Sequence, residues 1–203
     1  MPRTEEQNQN IKDKRRAKII KGAVKVFAEK GIDKVPVDDI TKVSRCSHGL
    51  FYHYFDNKDI IVEAIVEEII RPNDLIPPCH KAKDAHGVAG LKVFAEYYNR
   101  VFDPSLGQYN AAAIATHLHS SASLPESLKR FVKDTNTVDA LKVLIKEGQE
   151  QGKVIAGDPK EIANAVYDIV NANFKRLVED GKSALTVSGD VILNMLLRAD
   201  RED

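Results

Sequence analysis

Tryptophan is missing from this chain of 203 residues, and cysteine and methionine occur only twice each. Cys46 and Cys79 lie in separate segments without paired spacing. That excludes a disulfide framework and points to reduced thiols in the cytoplasm. No apolar run approaches the roughly 20 residues needed to cross a bilayer, so no membrane partner is expected. Residues 1–18 are charged and polar throughout, unlike a signal peptide. No stretch alternates with period two, which excludes sheets and leaves an all-α chain. There is no nucleophile and base pair, no glycine-rich phosphate loop and no paired carboxylates in a recognisable context. Catalysis and a cofactor are therefore not expected. His117 and His119, two residues apart, point to different sides of a helix. A metal site built on them, with or without Cys79, His80 or His86, is not supported by the spacing.

Net charge is also missing, since 30 Lys and Arg balance 30 Asp and Glu. The charge that is present is unevenly placed. Residues 1–60 carry 13 Lys and Arg against 9 Asp and Glu, a balance of +4, so the remainder carries −4. Much of the excess sits at Lys12, Lys14, Arg15, Arg16, Lys18, Lys21 and Lys25. There it could meet a phosphate backbone, or serve only as a solvated face for the later members of the run.

Around that charge the pattern is helical. Residues 12–30 place Ile20, Ala23, Val24, Phe27 and Ala28 at helical spacing and close on Gly31. Residues 34–44 read as a short helix with Pro36 near its start and Asp38 and Asp39 in its first turn. Beyond the turn Ser44-Arg45-Cys46, the run Ser47 to Phe55 reads SHGLFYHYF, with Asp56-Asn57-Lys58 directly after it. Ser47 suits a helix N-cap, and Phe51 and Phe55 form an inner face. His48, Gly49, Leu50, Tyr52 and His53 then face outward. Gly49 permits close approach of the backbone to a groove, and Tyr and His carry tips that reach phosphates or base edges. Three helices, the last two forming helix-turn-helix, are the expected result.

Residues 15–70 resemble the amino-terminal domain of TetR-family transcriptional regulators. The resemblance is carried by the basic entry, the run from Ala23 to Gly31, Asp38-Asp39-Ile40, and Gly49 to Phe55 followed by Asn57-Lys58. It implies that Tyr52 and Tyr54 contact phosphates, that Lys58 opens the fourth helix and meets the backbone, and that His48, Leu50 and His53 face the major groove. Ser47 and Gly49 belong to the same surface. The chain departs from the family at Arg45, where glycine is usual, and at Leu50 and Pro36, where threonine or serine is common. Arginine must there adopt a backbone that glycine reaches more easily, while its charge can supply a phosphate contact of its own.

The expected organisation is a helix-turn-helix DNA-binding domain at residues 1–58 and a helical ligand-binding and dimerisation domain at residues 59–203. In the second, helices are expected at about 59–70, 86–102, 107–122, 126–151, 159–180 and 186–199, with residues 73–84 as a connector. Two apolar stripes are expected to make a twofold four-helix interface. One comprises Ile162, Val166, Ile169, Val170, Asn173 and Leu177, and the other Val187, Val191, Met195 and Leu196. Phe94, Tyr97, Tyr98, His117, Asn136, Tyr167, Asn171 and Phe174 mix aromatic and polar groups suited to a mostly apolar pocket. The implied partners are a double-stranded palindromic operator, a second copy of the chain and a small-molecule effector that releases the DNA. An activator, or a regulator whose second domain binds a protein, would share the same amino-terminal region.

Overall fold

A computed structural model describes residues 4–73, 75, 85–103, 105, 108–181, 184 and 186–198. Cys79, His80 and most of the expected connector at 73–84 lie outside the described residues. Among those described, extended pairing is limited to one isolated bridge, Val154 with Leu197, so the chain is all-α. No helix among them is long and apolar enough to cross a membrane.

Helix α1 (Glu5–Lys30) begins well before the apolar stripe that announces it. Thr4 and Gln7 form a capping box that starts the helix in a wholly polar segment. Periodicity registers only where a helix finds a core, and here that happens from Ile19 onward. Gly31 closes α1 at φ 79, in the left-handed region that favours glycine. Helices α2 (Val37–Ser44), α3 (His48–Tyr54) and α4 (Lys58–Ile65) follow, and α4 runs directly into a π-helical turn, Val66–Ile70. Phe27, Ile40, Phe51, Phe55, Ile61 and Ile65 are fully buried among these elements. Each large apolar side chain so buried contributes about 1.5–3 kcal/mol.

The remaining helices are α5 (Gly87–Val101), α6 (Tyr109–Ser120), α7 (Glu126–Asp134), α8 (Thr137–Glu150), α9 (Pro159–Asp180) and α10 (Gly189–Leu196). The single helix expected at 126–151 is in fact two. The Asn136 carboxamide accepts from the amides of Val138 and Asp139 and starts α8. The Thr135 hydroxyl bonds back to the Phe131 carbonyl and ends α7. His119 fixes this break from outside, its two ring nitrogens each 2.9 Å from a carbonyl, those of Ala115 and Thr135. Helix α9 packs against α8 and α6, α5 against α8 and α10, and α1 reaches across to α6 and α9.

Candidate nucleic-acid interface and effector cavity

The outward helix is built by its flanks. Arg45 ends α2 at φ 51 and ψ 52, the one non-glycine residue of positive φ among those described. Its amide and that of Cys46 bond to the carbonyls of Lys42 and Thr41. The Ser47 hydroxyl then accepts from the Leu50 amide at 3.2 Å and starts α3. Asn57 does the same for α4 through the Ile60 amide at 3.1 Å. With Phe51 and Phe55 buried on one side, His48, Gly49, Tyr52 and His53 are exposed on the other. Tyr52 is 50% exposed, with its hydroxyl available on the outer face. A methyl group added at Gly49 would meet nothing within 4 Å. Nothing inside the subunit therefore requires glycine there.

The other expected contacts differ in availability. Leu50 and Tyr54 are half-buried. The His48 ring lies 3.4 Å from the Asp38 carboxylate. The Lys58 ammonium donates to the carbonyls of Ile32 and Asp33 at 3.0 and 3.4 Å and so ties α4 to the loop after α1. Of the basic run on α1, Arg16 is committed inward. It makes two bonds with the Glu68 carboxylate, at 2.7 and 2.5 Å, and stacks over the Phe55 ring. The bond to Glu68 holds its guanidinium above its ordinary pKa.

The effector residues expected from the sequence fall in three places. His117, Tyr167, Asn171 and Phe174 line a cavity of about 420 Å³ between the end of α1, α6 and α9. Phe94, Tyr97 and Tyr98 instead form an aromatic core with Phe102 and Phe174, ring centroids 4.5–6.2 Å apart. Asn136 is the α8 cap described above. The Tyr167 hydroxyl donates to the Thr116 carbonyl at 3.4 Å, and burial raises its pKa. Among the described residues no group of three or more His, Cys, Asp or Glu side chains is arranged to hold a metal.

The proposed interface stripe also divides. Val170, Asn173 and Leu177 are fully buried within the subunit and Val166 nearly so. The Asn173 carboxamide is bonded to both the carbonyl and the amide of Val187, at 2.6 and 3.0 Å. These four residues face the subunit's own core, because α8 and α6 cover that side of α9. Ile162 and Ile169 remain half-buried, with Ala165 and Ala172 exposed beside them. On α10, Val191 and Met195 are exposed.

A clamp that the sequence reading missed joins the two halves. The Asp33 carboxylate accepts from the Ser121 hydroxyl at 2.5 Å and the Ala122 amide at 2.9 Å. The Ser121 bond, more than any other influence, draws its pKa down. Nearby, His117 Nε2 lies 3.2 Å from the Ala28 carbonyl near the end of α1. No local pattern could reveal partners almost ninety residues apart.

Comparison with known proteins agrees with this geometry. Residues 19–65 match the family described as bacterial regulatory proteins, tetR family. The HTH-type transcriptional regulator YvdT of Bacillus subtilis (strain 168) is 40% identical over 53 residues, which cover 26% of this chain and 27% of that protein. The crystal structure of a HlyIIR mutant superposes with a TM-score of 0.65 at 17% identity, covering 98% of this chain and all of that one. AibR, solved in complex with isovaleryl coenzyme A and operator DNA, superposes with a TM-score of 0.59 at 17% identity over 89% of this chain and 94% of that one. Residues 19–65 thus carry the amino-terminal domain of the tetR family of bacterial regulatory proteins, and the chain as a whole shares the fold of the solved structures.

Proposed function

We propose that the protein is a DNA-binding transcriptional regulator, a repressor that holds a palindromic operator as a homodimer and leaves it when a small molecule binds. The carrying observation is the division of α3, with Phe51 and Phe55 buried beneath an exposed face of His48, Gly49, Tyr52 and His53. A short helix of this kind, capped at its start and lying across a second helix, reads the major groove. The domain from residue 1 to 58 supplies the reading head, and residues 59–203 supply dimerisation and control. Two heads are needed because one helix-turn-helix contacts too few bases for useful specificity. The surfaces available for pairing are Ile162, Ala165, Ile169 and Ala172 on α9 and Val191 and Met195 on α10. AibR, whose fold is similar, was solved with both an acyl coenzyme A and its operator, which supports control by a metabolite here.

The test is selection of genomic fragments by the purified protein, followed by gel-shift titration of the enriched sequence. An inverted repeat bound by two copies, and released by a metabolite of the neighbouring genes, is the expected result. Enrichment of no sequence over random DNA would overturn the assignment. Binding unaffected by metabolites, with capture of a defined protein by the carboxy-terminal half, would replace the small molecule with a protein partner.

A further inference from the structure

The cavity between α1, α6 and α9 holds chemistry that DNA recognition leaves unused. Its inner wall is apolar, made by Ala113, Phe174, Val178 and the ring of Tyr167. Its mouth is polar, and Lys30, Lys34, His117 and Ser120 also line an adjoining lobe of about 280 Å³. Volumes of this order suit a small organic molecule.

Most charges around the mouth are engaged, and the Asp33 carboxylate of the adjoining lobe is taken up by the Ser121 hydroxyl and the Ala122 amide. Lys30 is held by Asp39 at 2.6 Å, Glu29 lies 4.0 Å from Lys25, and Lys175 lies 4.0 Å from Glu179. Lys34 has no ion-pair partner among the described residues. An apolar chamber with an ammonium free of any ion pair at its entrance suits a carboxylate carried on an apolar body. A cation of the same shape would be repelled at the mouth, and a neutral analogue would gain only the apolar burial. We propose that this cavity is the effector site and that it takes a small organic acid, a carboxylate on an apolar ring-sized body, an inference that rests on the regulatory reading above.

The location supplies the coupling. One wall is the end of α1, whose Ala28 carbonyl is held by His117 of α6. An acid seated between them presses on that bond and on the neighbouring Asp33 clamp to Ser121 and Ala122. Helix α1 carries α2 on its other side, so displacing its end changes the spacing of the two reading heads in a dimer. The ligand need only bind the mis-spaced state better than the DNA-bound one.

The probes are 3-phenylpropionate, its amide and 3-phenylpropylamine, matched in shape and differing in charge. Each is titrated calorimetrically into the full-length protein and added to gel shifts on its selected operator. The acid is expected to bind roughly tenfold more tightly than the amide and to reduce the shifted fraction, while the amine does not bind. Lys34→Met should bring the acid down to the level of the amide and leave the amide unchanged. Val178→Trp, at a half-buried lining position, should abolish binding of both acid and amide while helix content by circular dichroism is kept. Equal binding of acid and amine, no binding of the acid, or indifference to both substitutions overturns the site. If the operator is held but no acid binds, the effector assignment falls and the regulatory reading stands. If the acid binds as described but no DNA sequence is selected, the site stands and the regulatory reading falls.

Discussion

At the residue scale the informative position is Arg45. Its φ of 51 and ψ of 52 place an L side chain in the left-handed region, at a cost of roughly 1–2 kcal/mol that glycine avoids. Arg45→Gly should therefore stabilise the isolated protein by about 1 kcal/mol, less the added freedom of the unfolded chain, seen as a higher melting temperature. If the guanidinium meets a phosphate, the same variant should bind all DNA sequences more weakly, with the salt dependence of binding reduced by about one ion per subunit, or about two per dimer. A lower melting temperature would mean that the side chain is held by the fold. Tyr52→Phe is a clean companion, because the ring stays and only an exposed hydroxyl is lost. It should weaken binding without changing sequence preference, whereas His48→Ala should relax preference at one base pair of each half-site by about 1–3 kcal/mol. Lys58 is a poorer probe, since its ammonium also ties α4 to the loop after α1.

At the scale of elements, two contacts place the helices. Gly189 begins α10 directly against the backbone of Ala95 in α5, where an added methyl group would collide with main-chain atoms that have no room to move. Gly189→Ala should cost about 1–3 kcal/mol, measured by urea unfolding. The Asp33 clamp joins the loop after α1 to the end of α6. Its carboxylate is held below the ordinary range by the Ser121 hydroxyl and then the Ala122 amide. A group with a lowered folded pKa contributes stability that is present above its unfolded value, near 3.9, and lost as pH falls through the folded one. Asp33→Asn should thus lower the unfolding free energy at neutral pH by less than about 1 kcal/mol, the side chain being exposed. That difference should shrink below about pH 4. A difference constant down to strong acid would show that the charge is not what holds the clamp. The sequence disclosed elements wherever local chemistry set them. Asp158-Pro159 marked the start of α9 and Gly31 the end of α1, as found. It hid the break between α7 and α8, because Thr135 and Asn136 act through hydrogen bonds that a hydrophobic period does not record.

At the scale of the whole molecule, the amino-terminal helices were legible and the packing of the later ones largely was not. The buried and exposed faces of α3 follow from residues within nine positions of one another. The division of α9 depends on which neighbours happen to cover it. An apolar stripe reports only that something packs there, and Val166, Val170, Asn173 and Leu177 find their cover in the same subunit. The surface of α9 left uncovered runs through Ile162, Ala165, Ile169 and Ala172, with Val191 and Met195 exposed on α10. Small residues alternating with isoleucines at three- and four-residue steps let two helices approach closely. Ile169→Glu places a charge in that seam while the side chain still reaches water in the separated subunit. The variant should sediment as a monomer of unchanged helix content and the parent as a dimer. Its operator affinity should fall by at least about a hundredfold, because a second head already in place acts at a high effective concentration. The opposite pattern discriminates sharply. Leu177→Glu buries an unpaired carboxylate inside the subunit and should lower the melting temperature steeply. If Ile169→Glu instead leaves a dimer intact and only Leu177→Glu yields a monomer, the pairing surface assigned to α9 is wrong.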